Sequence, residues 1–142
     1  MTLEGQRLAL SVAGSPAGLG QVTEAFELFA AAHGIPDAVR RSVQVVLDEL
    51  LSNTLRCGKG DGREVTIDVG FALDPERLRV EIVDDGTPFD PLRGAVPDTS
   101  LPLEKRPVGG LGLLFVKGLV DEITYDGEGG RNRVVLGKRL DA

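Results

Sequence analysis

Cysteine and histidine are almost missing from this 142-residue sequence, with Cys57 and His33 occurring once each. A single cysteine excludes an internal disulfide framework and any multi-cysteine metal site. A single histidine closes the chain to multi-histidine metal centres and to triads with a histidine base. His33 stands just before Gly34 at an expected helix end, where a solvated or capping role suits it. Tryptophan is absent and aromatics make up only 4% of the residues, which leaves little for stacking on nucleic-acid bases. There is no basic excess either. A net charge of -6 argues against nucleic acid as the principal partner, although a small anionic ligand needs only local donors. No stretch approaches the roughly 18 to 20 apolar residues of a membrane span, and Met1 to Arg7 lacks a basic segment followed by an apolar run. Neither an anchor nor a signal peptide is expected, and the cytoplasm is the expected compartment.

What is present fits one domain over residues 1–142, a length that buries on the order of two thirds of the unfolded surface around a single core. No internal repeat, linker or low-complexity segment interrupts it. Gln6 to Ala13 alternates as a half-buried strand, with Leu8, Leu10 and Val12 on one side. Gly14-Ser15-Pro16-Ala17-Gly18 reads as a turn. Leu19 to His33 follows as an amphipathic helix with Val22, Phe26, Phe29 and Ala30 inward and Gly34 as terminator. After Ile35-Pro36, Asp37 is expected to cap a second helix running to about Cys57, ended by Gly58. Arg63 to Leu73 alternates through Val65, Ile67, Val69 and Phe71. Asp74-Pro75-Glu76 then turns the chain into a strand from Arg77, making a hairpin. Glu122 to Tyr125 and Asn132 to Leu140 form a closing hairpin, with Val134 and Leu136 on one face. This order predicts an α+β two-layer sandwich with a mixed, mostly antiparallel sheet and helices on one face.

Three stretches carry chemistry. In the second helix Val43, Val46, Leu50 and Thr54 centre an apolar stripe. Glu49 and Asn53, one helical turn apart, lie along its flank, and Asp48 points to solvent. Polar groups at the edge of a buried stripe need partners, either other side chains or a bound ligand. In the strand from Arg77, alternation through Leu78, Val80 and Ile82 aims Asp84 inward and Asp85 outward. Finally, Val108-Gly109-Gly110-Leu111-Gly112-Leu113 opens a helix running to about Val120. Glycines there let the backbone approach a ligand while the helix N-terminus offers N–H donors to an anion, though such glycines also serve as plain loops. The proline-rich stretch before it has no periodicity and reads as a lid over about 87–108, or as a disordered loop.

In order and spacing these stretches resemble the ATP-binding domain shared by gyrase, heat-shock protein 90, histidine kinases and the mismatch-repair protein MutL. Within that superfamily the chain resembles most the bacterial anti-sigma factor serine kinases. Glu49-Leu50-Leu51-Ser52-Asn53 matches the first box, Asp84-Asp85-Gly86-Thr87-Pro88-Phe89-Asp90-Pro91 the second and Gly109-Gly110-Leu111-Gly112-Leu113 the third. The resemblance implies the histidine-kinase-like (Bergerat) ATPase fold, with ATP and Mg²⁺ bound. By it, Asp84 accepts a hydrogen bond from the adenine amino group, and Gly86 lets the backbone pass beside the base. By the same resemblance Asn53 is expected to be a ligand of Mg²⁺ and Glu49 the general base. The segment from Gly109 through Leu113 binds the phosphates, chiefly through the backbone at Gly110 and Gly112. Lys105 and Arg106 either neutralise γ-phosphate charge or are merely solvated; Arg106 is the candidate kept.

Two positions depart from the wider pattern. Cys57 stands where relatives commonly have histidine, and reads as a helix-end packing residue. Pro88 replaces a glycine of the second box, as is usual among the anti-sigma kinases. The sequence shows neither the histidine-bearing dimerisation helix of a sensor kinase nor the transducer domain of gyrase. The implied function is that of an anti-sigma regulatory factor, an ATP-dependent protein serine kinase that phosphorylates an antagonist (anti-anti-sigma) protein and sequesters a sigma factor. The alternative is a nucleotide-binding partner-switching regulator without productive phosphoryl transfer. A homodimer is expected from the resemblance alone.

Overall fold

Alternating apolar residues pair into one sheet because each strand has a single face to bury. The computed structural model of the chain describes residues 2–4, 6–58, 63–88 and 116–141. Six strands run β1 (Thr2–Glu4), β2 (Arg7–Ala13), β3 (Thr66–Leu73), β4 (Arg77–Asp84), β5 (Glu122–Asp126) and β6 (Asn132–Arg139). They lie in the order β1-β2-β3-β4-β6-β5. Every strand pair among the described residues is antiparallel, so no parallel pair enters the sheet as it had been expected to allow.

The register sorts the inner face into rows. Leu8, Phe71, Val80, Leu136 and Ile123 lie side by side across β2, β3, β4, β6 and β5, and Leu10, Val69, Ile82, Val134 and Tyr125 form the next row. A third row, Val12, Ile67, Asp84 and Asn132, begins apolar and ends polar. The alternation that buries the first two rows also turns Asp84 inward.

Two helices cover this face, α1 (Pro16–His33) and α2 (Asp37–Cys57). Val22, Phe26, Phe29 and Ala30 of α1 and Val43, Val46, Leu47, Leu50 and Leu51 of α2 join the sheet in one hydrophobic core. Phe71 sits under α1 with ring centroids 5.1 Å from Phe26 and 6.1 Å from Phe29. Such aromatic pairs each add about 0.5–1.5 kcal/mol beyond area burial. Across the helix pair, Glu27 accepts from Arg40 at 3.0 and 3.2 Å and from the Gln44 amide at 2.9 Å. At the end of α1, Gly34 adopts the left-handed conformation at φ 65°, and His33 rests on Phe29 with ring centroids 4.5 Å apart.

Several boundaries differ from the sequence reading. α1 starts at Pro16 rather than Leu19, because Ser15 is its N-cap: the Ser15 Oγ accepts the Gly18 N–H at 3.1 Å, and a proline at the first helical position has no N–H to lose. Asp37 is not the cap of α2. Pro36 occupies that position without a side-chain cap, and Asp37 lies in the first turn, where a carboxylate favours the helix dipole. β1 was not expected at all. β3 begins at Thr66, although Val65 before it is already buried. Among the described residues no helix is long and apolar enough to cross a membrane.

Candidate functional site

Among the described residues the buried polar or charged side chains are Asn53, Asp84 and Asn132, and all three line one cleft. The last turns of α2 supply Leu50, Asn53, Thr54 and Gly58 to it. The sheet supplies Ile82, Asp84, Tyr125, Asn132 and Val134, and the turn after β4 supplies Gly86 and Thr87. Leu50, Ile82 and Val134 make its walls apolar, so a polar atom in the cleft binds without strong competition from water.

Asp84 is held on one side only. Its Oδ1 accepts the Gly86 N–H at 2.9 Å and the Asn132 Nδ2–H at 2.9 Å. Its Oδ2 is 3.5 Å from the Thr54 hydroxyl, whose single proton has a nearer acceptor in the Leu50 carbonyl at 3.1 Å. Oδ2 is thus the acceptor left for the cleft. The neighbouring carboxylate goes elsewhere: Asp85 Oδ1 accepts the Thr66 N–H at 2.8 Å, at the start of β3.

Space is tight around Gly86. A Cβ there would stand 3.0 Å from each of Asp84 Oδ1, the Gly58 carbonyl oxygen and Val65 Cγ1. The Thr87 N–H donates to that same Gly58 oxygen at 2.7 Å, tying the end of α2 to the turn after β4.

Asn53 is 9% exposed, and its side chain makes no hydrogen bond among the described residues. Glu49, one turn earlier, is half-buried and lies outside the cleft lining, and the two do not form the local pair that would have explained them away. Cys57 ends α2, as expected. The other candidates, Arg106, Gly109, Gly110, Leu111, Gly112 and Leu113, together with Lys105 and nearly all of the expected lid, lie outside the described residues. Of the helix expected to follow the glycines, residues 116–119 are helical and Val116 is buried in the core.

Thr54, Tyr125 and Asn132 complete the site without having been expected in it. Asn132 Nδ2 donates to Asp84 and also to the Thr87 carbonyl at 3.0 Å, while its Oδ1 accepts from the Tyr125 hydroxyl at 2.6 Å. A signal for Asn132 was present, since the alternation that puts Val134 and Leu136 inward also puts Asn132 inward.

The family model described as the histidine kinase-like ATPase domain matches residues 12–138. No curated protein sequence matches the chain. Among solved structures it is similar to the RsbU and RsbW domains of Rv1364c from Mycobacterium tuberculosis, with a TM-score of 0.65 and 15% identity. That match covers 94% of this chain and 31% of the other, and at this identity the likeness is one of fold.

Proposed function

Because the chain belongs to the histidine kinase-like ATPase domain family, we propose that its cleft takes the adenine of ATP and that it works as an anti-sigma regulatory factor with protein serine kinase activity. It moves the γ-phosphate of ATP to a serine of a small antagonist protein and otherwise holds a sigma factor. The observation that carries the adenine reading is Asp84, a buried carboxylate with one oxygen tied down and the other open to an apolar cleft. An acceptor there suits an exocyclic amine, whereas a keto oxygen opposite it is left unsatisfied, so adenine is favoured over guanine.

Asn53 fits a Mg²⁺ site in kind, because its buried amide supplies a hard neutral oxygen and makes no other hydrogen bond among the described residues. The described residues hold no group of three or more His, Cys, Asp or Glu side chains that could cage a metal, so an ion at Asn53 takes most of its shell from phosphates and water. When bound, Mg²⁺ supplies charge neutralisation along the phosphates. The segment from Gly109 to Leu113 is assigned to phosphate binding by its glycines and its place in the sequence before a helix, and Arg106, three residues ahead of it in the sequence, to neutralising γ-phosphate charge.

In the transfer itself the serine oxygen forms a bond to the γ-phosphorus, the bond to the β,γ-bridging oxygen breaks, and ADP leaves. Glu49 takes the hydroxyl proton. A lid over 87–108, a homodimer and a cytoplasmic setting belong to the same reading.

A second reading is a regulator that binds nucleotide and switches partners without transferring phosphate. The two separate on incorporation of labelled γ-phosphate into a purified antagonist protein with Mg-ATP, comparing wild type with Glu49→Gln. Transfer by wild type and its loss in the variant, with ATP still bound by both, supports the kinase. ATP binding without transfer by wild type rejects it.

A further inference from the structure

The cleft contains a hydrogen-bond chain that runs across three neighbouring strands. The Tyr125 hydroxyl on β5 donates to Asn132 Oδ1 at 2.6 Å, and Asn132 Nδ2 on β6 donates to Asp84 Oδ1 on β4 at 2.9 Å. Asn132 and Asp84 are direct partners in the β4–β6 register, so their side chains emerge together on the buried face.

The orientation of the Asn132 amide follows from its partners. Nδ2 faces the Asp84 carboxylate and the Thr87 carbonyl, which is 3.0 Å away, and both are acceptors. Turning the amide over would set its oxygen against both and lose the Tyr125 donor. With both Nδ2 hydrogens engaged in this way, Asn132 has none to spend on a ligand. Its amide hydrogens therefore bear on a ligand through Asp84.

We propose that Asn132, oriented by Tyr125, is the positioning residue that makes the cleft selective for a 6-amino purine. It binds Asp84 Oδ1 and so stops the carboxylate rotating, which keeps Oδ2 turned to the place where the amino group arrives. Without Asn132 the Gly86 N–H is the only close donor left on Oδ1 among the described residues, and Asp84 can swing and spread its acceptors over several directions. The selectivity for the amine then falls although Asp84 is still present. This inference rests on the adenine reading of the cleft and goes beyond it by naming what aims the acceptor.

The test compares the affinities of ATP and of purine riboside triphosphate, which lacks the 6-amino group, for wild type, Asn132→Ala and Tyr125→Phe. Wild type is expected to prefer ATP by about tenfold or more, the range of a hydrogen bond to a charged acceptor. Asn132→Ala is expected to bring that ratio close to one while the affinity for purine riboside triphosphate stays within about twofold, because only the amine contact is lost. Tyr125→Phe, which removes one hydroxyl and keeps the ring, is expected to lower the ratio part of the way. Both affinities falling together in the variants would show a merely structural role and overturn the inference, as would an unchanged ratio. A wild type without preference for ATP overturns the adenine reading itself, and that outcome is seen before any variant is made.

Discussion

The Gly58 carbonyl oxygen accepts the Thr87 N–H at 2.7 Å, joining the end of the helix that carries the first motif to a residue within the second. Glu49 and Asn53 approach along α2 and Asp84 along β4, and this single backbone hydrogen bond is where the two paths close. Gly86 sits inside the closure, with the space for a Cβ already bounded by Gly58, Val65 and Asp84.

Gly86→Ala is therefore expected to destabilise the fold by about 1–3 kcal/mol, the usual range for overpacking a filled site, and to weaken ATP binding as the Gly58–Thr87 contact opens. Denaturant unfolding with parallel calorimetric titration of ATP measures both. A variant as stable as wild type would mean that the turn relaxes freely.

Asp84→Asn keeps an oxygen for the Gly86 and Asn132 donors and turns an NH₂ group toward the cleft. Two donors then face each other at the adenine amine, and ATP binding is expected to weaken by about 1–3 kcal/mol. Unchanged affinity by calorimetry would remove Asp84 from the base site.

Asn53→Ala is expected to abolish the Mg²⁺ dependence of ATP binding. Affinity measured with Mg²⁺ and with a chelator should converge in the variant and differ in wild type. If the difference persists, the ion is held elsewhere.

Gly20 offers the opposite case to Gly86. It is exposed in α1, and a Cβ there meets nothing within 4 Å. Gly20→Ala is expected to stabilise the protein by about 0.4–1 kcal/mol, because alanine restricts the unfolded chain and fits a helix. The midpoint of urea unfolding reports it.

Asp74 gives a pH dependence with a definite sign. Its Oδ1 accepts the Glu76 and Arg77 N–H groups at 2.8 Å each, and these backbone bonds, Glu76's first, hold its pKa below the ordinary 3.8. A carboxylate lowered on folding contributes stability above its unfolded pKa and loses it as pH falls through the folded one. Asp74→Ala should thus melt lower than wild type near neutral pH, and the gap should close in acid. A gap constant across that range would mean the turn does not depend on the charged form.

Much of the site could be read from periodicity alone. A repeat of two separates Asp84 from Asp85, and the structure turns the first into the cleft and the second to the Thr66 N–H. A repeat of 3.6 sets Asn53 beside the apolar stripe of α2, where it is buried. Asn132 escaped because its importance lies across strands: only the adjacency of β4 and β6 makes it the partner of Asp84, and a polar residue opening a strand otherwise reads as the end of a turn. Tyr125 was hidden for the same reason on β5. β1 spans only three residues, too few to display any period, and the start of α1 was obscured because Ser15-Pro16 serves turns and helix caps alike.

The inner rows of the sheet make the cleft depend on a count taken at its far end. β3 and β4 are joined through Asp74-Pro75-Glu76, and their pairing from Leu73–Leu78 to Ile67–Asp84 is what delivers Asp84 to the third row. A slip of one residue in β4 would reverse every side chain, bringing Val83 or Asp85 to that row in place of Asp84. The turn at Asp74 touches nothing in the cleft, yet its length is part of the address of the cleft's carboxylate.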